Sequence, residues 1–142
     1  MDGNIVYAYV VADLLHVGHL IHLKNAKALA GLEGKLIVGV LTDEATMEKK
    51  QKPIVSFKDR LEVIGAIKYV DCAVAQEDYS PIKNIQTIKP DILIESSSHS
   101  EKDLAKINKT ADSISCRVIS LPYFPDQCST QIKKNIKDNY RI

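Results

Sequence analysis

Short apolar runs of strand length alternate along the chain with segments whose apolar residues recur every three or four positions. Ile5–Val11 (IVYAYVV) is β-branched, aromatic and apolar on both faces, which predicts a central strand of a parallel sheet. Leu20, Leu23, Ala26 and Ala30 then share one face of a helix, and Gly31 and Gly34 end that pattern. Lys35–Leu41 (KLIVGVL) predicts a second buried strand, and Leu61, Ile64 and Ile67 mark an amphipathic helix over Asp59–Tyr69.

A strand at Cys72–Ala75 follows. Ser80 before Pro81 predicts a helix start, since the hydroxyl can cap free amides and proline fits the first turn. Pro90 closes that helix before a strand at Asp91–Ile94 (DILI). Ser100–Asn108 predicts a polar helix with Leu104 and Ile107 inward, Cys116–Leu121 (CRVISL) a last strand, and Thr130–Asn139 a closing helix. Alternating strands and helices with short connections imply an α/β fold, a three-layer sandwich around a parallel sheet of about five strands. No repeat, low-complexity tract or internal linker divides it, so a single domain over residues 1–142 is expected.

Such sheets hold ligands beyond the carboxyl ends of their strands, near the switch in strand order. That rule directs attention to the segment after the first strand, VADLLHVGHL. In it two histidines, His16 and His19, straddle Gly18. Three uses fit them: ordinary residues at a helix start, metal ligands, or phosphate clamps. A zinc site would draw on His16, His19 and His22, but no cysteine or acidic cluster stands beside them to complete a ligand set. Phosphate binding has more support, because Gly18 permits close backbone approach and a helix start offers amides and a positive dipole end to an anion. His22 and His99 read as solvated residues.

Composition narrows the partners. With 19 Lys plus Arg against 18 Asp plus Glu in 142 residues, the net charge of +1 gives no broad field for nucleic acid or anionic lipid, and any anion site must be local. Three widely spaced cysteines, Cys72, Cys116 and Cys128, suit a reducing compartment. Neither a signal-peptide pattern nor an 18-residue apolar run is present, so a cytoplasmic protein is expected. Cys128, just before a helix start, has no catalytic base beside it in sequence, which argues against a nucleophilic role.

The arrangement DLLHVGHLIHLKNAK after a first strand resembles the HxGH nucleotidyltransferase superfamily, in particular its small cytidylyltransferases. The resemblance continues through LTDEA (Leu41–Ala45), EKKQKP (Glu48–Pro53), SFKDRLEVIGAIKYVD (Ser56–Asp71), KPD (Lys89–Asp91) and STQIKKNI (Ser129–Ile136). Where glycerol-phosphate members carry a GTFD-type sequence, this chain has VVAD. Together with DYSPIKNIQTIKPD and LPY, that start is more similar to cytidylyltransferases acting on small phosphonates such as aminoethyl- or hydroxyethylphosphonate.

The resemblance implies a Rossmann-like sheet, a homodimer, and transfer of CMP from CTP to a small phosphonate or phosphate monoester with loss of pyrophosphate. It assigns His16 and His19 to the phosphates as catalytic groups with Lys50 and Arg60. Val11, Ala12, Asp13, Gly18, Ser96, Ser129 and Thr130 would line the nucleotide, and Lys24, Lys52 and Arg60 would face the acceptor. A magnesium ion borne by the nucleotide is expected, with Asp13 nearby as its one candidate protein ligand. For Arg60 the rival reading is an ion pair with Asp59 or Glu62; for Lys24, Lys50 and Lys52 it is a solvated face; for Ser129 and Thr130 it is plain helix capping.

Two departures stand out. A family GDDW-like segment corresponds here to Ser96, Ser97, Ser98 and His99, and the closing RTxGISST-like motif has Asp126 for glycine and Cys128 for a hydroxyl. Transfer to glycerol 3-phosphate or phosphoethanolamine, adenylyl transfer from ATP, and a nucleotide-binding module without turnover are the alternatives.

Overall fold

The computed structural model describes residues 3–95, 99–121 and 129–140. Among them the order is β1 (Ile5–Val10), α1 (Val17–Ala30), β2 (Lys35–Leu41), α2 (Asp43–Met47), α3 (Phe57–Gly65), β3 (Cys72–Gln76), α4 (Ile82–Ile88), β4 (Ile92–Glu95), α5 (Glu101–Ser113), β5 (Arg117–Ser120) and α6 (Ser129–Tyr140). Every strand pairing is parallel, in the order β3-β2-β1-β4-β5. The result is the expected three-layer, Rossmann-like α/β fold.

Side chains of a strand alternate between faces, so each strand feeds both layers. Val6 and Ala8 of β1, with Leu36, Val38 and Val40 of β2, pack against Leu23, Ala26 and Ala30 of α1 and Ile64 of α3. Tyr7 and Tyr9, with Leu41 and Leu93, meet Ala45 of α2, Ile85 of α4, and Ile107 and Ala111 of α5 on the other face. On that second face Gly39 is required by its neighbour, because a Cβ there would lie 1.9 Å from the Tyr7 hydroxyl. The space lets Tyr7 donate to Gln76 Oε1 at 2.6 Å and accept from Asn84 at 2.8 Å.

The differences from sequence expectation have local causes. The helix expected over Asp59–Tyr69 begins earlier because Ser56 caps it, its hydroxyl accepting from the Asp59 amide at 3.2 Å, and it ends at Gly65. The polar helix expected to stop at Asn108 continues to Ser113, since Ala111, four residues after Ile107, also reaches the core. Helix α2 is too short to give a periodic signal and is an addition to the expected elements; Thr42 caps it through the Ala45 amide at 3.1 Å. The chain builds β1 to β3 outward on one side of β1 and then returns to place β4 on the other side. The switch point therefore lies between the carboxyl ends of β1 and β4, where VADLLHVGHL leaves the sheet.

Candidate nucleotide site

After β1 the backbone turns sharply, with Ala12 (φ 60°) and Leu14 (φ 51°) in the left-handed region that non-glycine residues rarely occupy. Between them Asp13 is buried. Its Oδ2 accepts from the Ile54 amide and its Oδ1 from the Val55 amide, each at 3.0 Å, and Lys133 of α6 lies 2.5 Å from Oδ2. One carboxylate thus ties together the β1–α1 turn, the loop before α3 and the closing helix.

Helix α1 opens with a capping box made of imidazoles. His16 is the N-cap, and its Nδ1 accepts from the Gly18 amide at 3.0 Å; reciprocally, His19 Nδ1 accepts from the His16 amide at 3.2 Å. This is the S/T-x-x-E arrangement with both side chains replaced. An amide can only donate, so both Nδ1 atoms are bare and each neutral ring carries its proton on Nε2. The rings lie 4.1 Å apart at 47°. Burial, then the neighbouring His16 and His22, push His19 down to about 4 against a smaller opposing effect of Asp13, and burial lowers His16 and His22 as well. At neutral pH the corner holds two uncharged N–H donors at the positive end of a 14-residue helix.

The lysine loop between α2 and α3 is pinned at both ends. At its start Glu48 Oε2 accepts from the Tyr79 amide at 3.0 Å, and Lys49 pairs with Asp103 at 3.1 Å over the Tyr79 ring. At its end Asp13 holds Ile54 and Val55. Lys50 and Lys52 are exposed in the span between. Lys24 is exposed on α1, and Thr130 is exposed in the first turn of α6. Gly18 is buried at the helix start, Val11 is half-buried and Ala12 is buried in the turn. Ser96, Asp126 and Cys128 lie outside the described residues, as does the side chain of Ser129.

Two residues given roles from the sequence have their polar atoms engaged within the protein. Arg60, expected to grip a phosphate or the acceptor, is 1% exposed and faces backbone instead. Its Nε donates to the Val55 carbonyl at 3.0 Å, and NH1 to the Val11 and Leu41 carbonyls at 2.7 and 2.8 Å; NH2 meets Asp43 Oδ1 at 2.7 Å. The ion-pair partner is Asp43, not Asp59 or Glu62. Asp13, the expected magnesium ligand, has both carboxylate oxygens engaged by amides and an ammonium, which does not fit direct coordination of a divalent cation. Among the described residues no group of three His, Cys, Asp or Glu side chains could hold a metal ion.

His99 and His22 are not solvated either. The His99 side chain is 1% exposed, with Nε2 2.6 Å from the Tyr9 hydroxyl and 3.6 Å from Glu95 Oε1, while Tyr9 donates to Glu95. The ring also meets the Tyr79 edge at 5.3 Å. The Nε2 of His22 is buried without a hydrogen-bond partner among the described residues. The one sequence signal for the first cluster is the i, i+4 spacing of Glu95 and His99 across the end of β4. Lys133, inside the STQIKKNI block, carries none that separates it from Lys134.

A profile described as cytidylyltransferase-like matches residues 9–135. The chain is 35% identical over 130 residues to an FAD synthase of Methanothermus fervidus, covering 88% of this chain and 89% of that protein. It is 40% identical over 103 residues to the bifunctional protein HldE of Helicobacter pylori, covering 71% of this chain but 22% of that longer one. A solved lipopolysaccharide core biosynthesis protein from Thermoplasma volcanium superposes with a TM-score of 0.74 at 30% identity, covering 86% of this chain and 99% of its own. The protein is a nucleotidyltransferase. It belongs to the cytidylyltransferase-like family. Among the described residues no helix is long and apolar enough to cross a membrane.

Arg60→Lys removes the planar fork, and a single ammonium cannot reach all four acceptors; stability in urea should fall by about 2 kcal/mol or more. Unchanged stability with weakened substrate binding would return Arg60 to the phosphate-gripping role. A pH dependence is expected as well. Because His19 is held below the ordinary imidazole value near 6.5, the unfolded chain binds more protons than the folded one between about 4 and 6.5. The stabilisation is complete above that window and is lost as pH falls through it, with a slope of at most about 1.4 kcal/mol per pH unit for one histidine. Urea unfolding at pH 7.5, 6 and 5 should show this loss, and His19→Asn should flatten it; equal slopes would show that another group is responsible.

Proposed function

We propose that this protein transfers CMP from CTP to a small phosphonate or phosphate monoester and releases pyrophosphate. The observation that carries the reading is the pair of Nε2–H donors at the start of α1, located at the switch point of the sheet. The cytidylyltransferase-like family supports the nucleotide, and the VVAD start and following blocks support an aminoethyl- or hydroxyethylphosphonate acceptor. All of this takes place within one domain.

In the reaction an acceptor oxygen attacks the α-phosphorus as the bond to pyrophosphate breaks on the opposite side. Such transfer depends on alignment and on neutralising charge on the phosphoryl oxygens and leaving group. His16 and His19 supply directed hydrogen bonds from neutral rings. The dipole of α1 and the ammonium groups of Lys50 and Lys52 supply positive charge, with Lys24 toward the acceptor and Thr130 toward the phosphates. A magnesium ion carried by the triphosphate would supply further charge neutralisation, and Asp13, whose oxygens are taken by two amides and Lys133, would not hold it directly.

One observation favours a second reading. The FAD synthase relative is matched over nearly its whole length, and FAD is FMN joined to AMP, so adenylyl transfer from ATP to FMN is the rival. The lipopolysaccharide-core relative adds a sugar phosphate to the acceptors worth testing.

Pyrophosphate release from CTP and ATP against aminoethylphosphonate, hydroxyethylphosphonate, glycerol 3-phosphate, phosphoethanolamine, FMN and a sugar 1-phosphate tests nucleotide and acceptor together. CTP with a phosphonate is the expected pair. ATP with FMN would replace that reading, and silence across the panel would reject both. In the productive pair His16→Asn should lower turnover by about 10²- to 10³-fold with little change in melting temperature, since asparagine caps a helix but lacks the Nε2–H. Turnover within a few-fold of wild type would reduce His16 to a structural cap.

A further inference from the structure

A buried carboxylate beside a triphosphate site is an electrostatic problem. Asp13 is 3% exposed and lies in the turn that leads directly into His16, and its field reaches the His19 ring, where it favours the protonated form. Left alone, that charge would repel the nucleotide and would also act against the bare Nδ1 on which the cap of α1 depends. Two amides soften it, but amides bring no net charge. A compensating cation is Lys133, 2.5 Å from Oδ2.

Lys133 sits one turn into α6, four residues after Ser129, where that helix begins. Its side chain is 36% exposed, so the ammonium reaches inward from the rim of the corner. The same ion pair draws the first turn of α6 toward the start of α1.

We propose that Lys133 is a positioning residue of the nucleotide site: by cancelling the charge of Asp13 it lets the carboxylate organise the corner without opposing the triphosphate, and it seats the start of α6 beside that of α1. This rests on the nucleotide reading above. It predicts that the effect of losing Lys133 is transmitted through Asp13, which separates it from a lysine that simply touches phosphate.

A double-mutant cycle tests this in the full chain. Lys133→Met should weaken binding of CTP or ATP, measured by calorimetry without acceptor, by roughly tenfold. It should raise KM more than it lowers kcat, and Lys133→Arg should restore both. In an Asp13→Asn background the same Lys133→Met change should cost little. A second readout needs no nucleotide. Among the groups acting on His19, namely His16, His22 and Asp13, only Asp13 gains influence when Lys133 is removed. The His19 titration followed by NMR should therefore move to higher pH in Lys133→Met and return in the Lys133→Met, Asp13→Asn double variant.

An unmoved His19 titration overturns the proposal whether or not the protein binds nucleotide, whereas a moved titration without nucleotide binding rejects the functional reading instead. An equal loss of affinity in both backgrounds also overturns it, by making Lys133 a direct phosphate contact. Should Asp13→Asn not fold, the contrast between Lys133→Met and Lys133→Arg in the His19 titration is decisive alone: a shift in the first and none in the second supports the proposal, and the same titration in both overturns it.

Discussion

The ends of parallel strands leave backbone carbonyls with no ladder partner, and buried carbonyls require donors. At the carboxyl ends of β1 and β2 one guanidinium satisfies Val11 and Leu41 together and extends to Val55 and Asp43. The rest of the corner depends on this contact. It fixes where β1 stops, how the turn begins and how near the lysine loop passes. An arginine suits the position because its donors diverge in a plane, so that one buried side chain serves three backbone segments and a carboxylate.

Around that brace the charges are sorted by depth. The buried acid, Asp13, is neutralised within the protein by Lys133, and the half-buried imidazoles of His16 and His19 are kept uncharged by their capping bonds and by desolvation. Lys50 and Lys52 remain exposed, in a loop whose ends are fixed by Asp13, Arg60, Glu48 and Lys49. The half-buried rings therefore provide direction, and the exposed lysines provide charge. This division suits a substrate that carries several negative charges.

The fold is largely legible in the sequence because it is written in apolar periodicity. Ile5–Val10 and Lys35–Leu41 are apolar on both faces, and only a sheet covered on two sides accommodates that pattern. Helix α2 is not legible, because five residues hold no period. The corner itself can be located by rule and by its histidines, but the use of its other residues cannot. Arg60 and a phosphate-binding arginine look identical in sequence; their difference is which carbonyls lie within about 3 Å, a property of strand ends brought together only by folding. Asp13 and Lys133 are far apart in the chain, and His99 looks solvated in sequence because its partners, Tyr9 and Glu95, sit on neighbouring strands.

The imidazole capping box also explains the spacing of the motif. An interval of three residues between the histidines is the interval a helix start imposes on any reciprocal cap, so it is set by backbone geometry before any ligand is considered. A serine and a glutamate would satisfy the same amides but would present no donor on their outer side. Imidazole has a second nitrogen across the ring, and fixing one nitrogen as an acceptor automatically makes the other a donor. The motif is thus a helix terminus turned inside out: its own capping bonds dictate the tautomer with which it meets the solvent, and the recognition chemistry is specified by the act of folding.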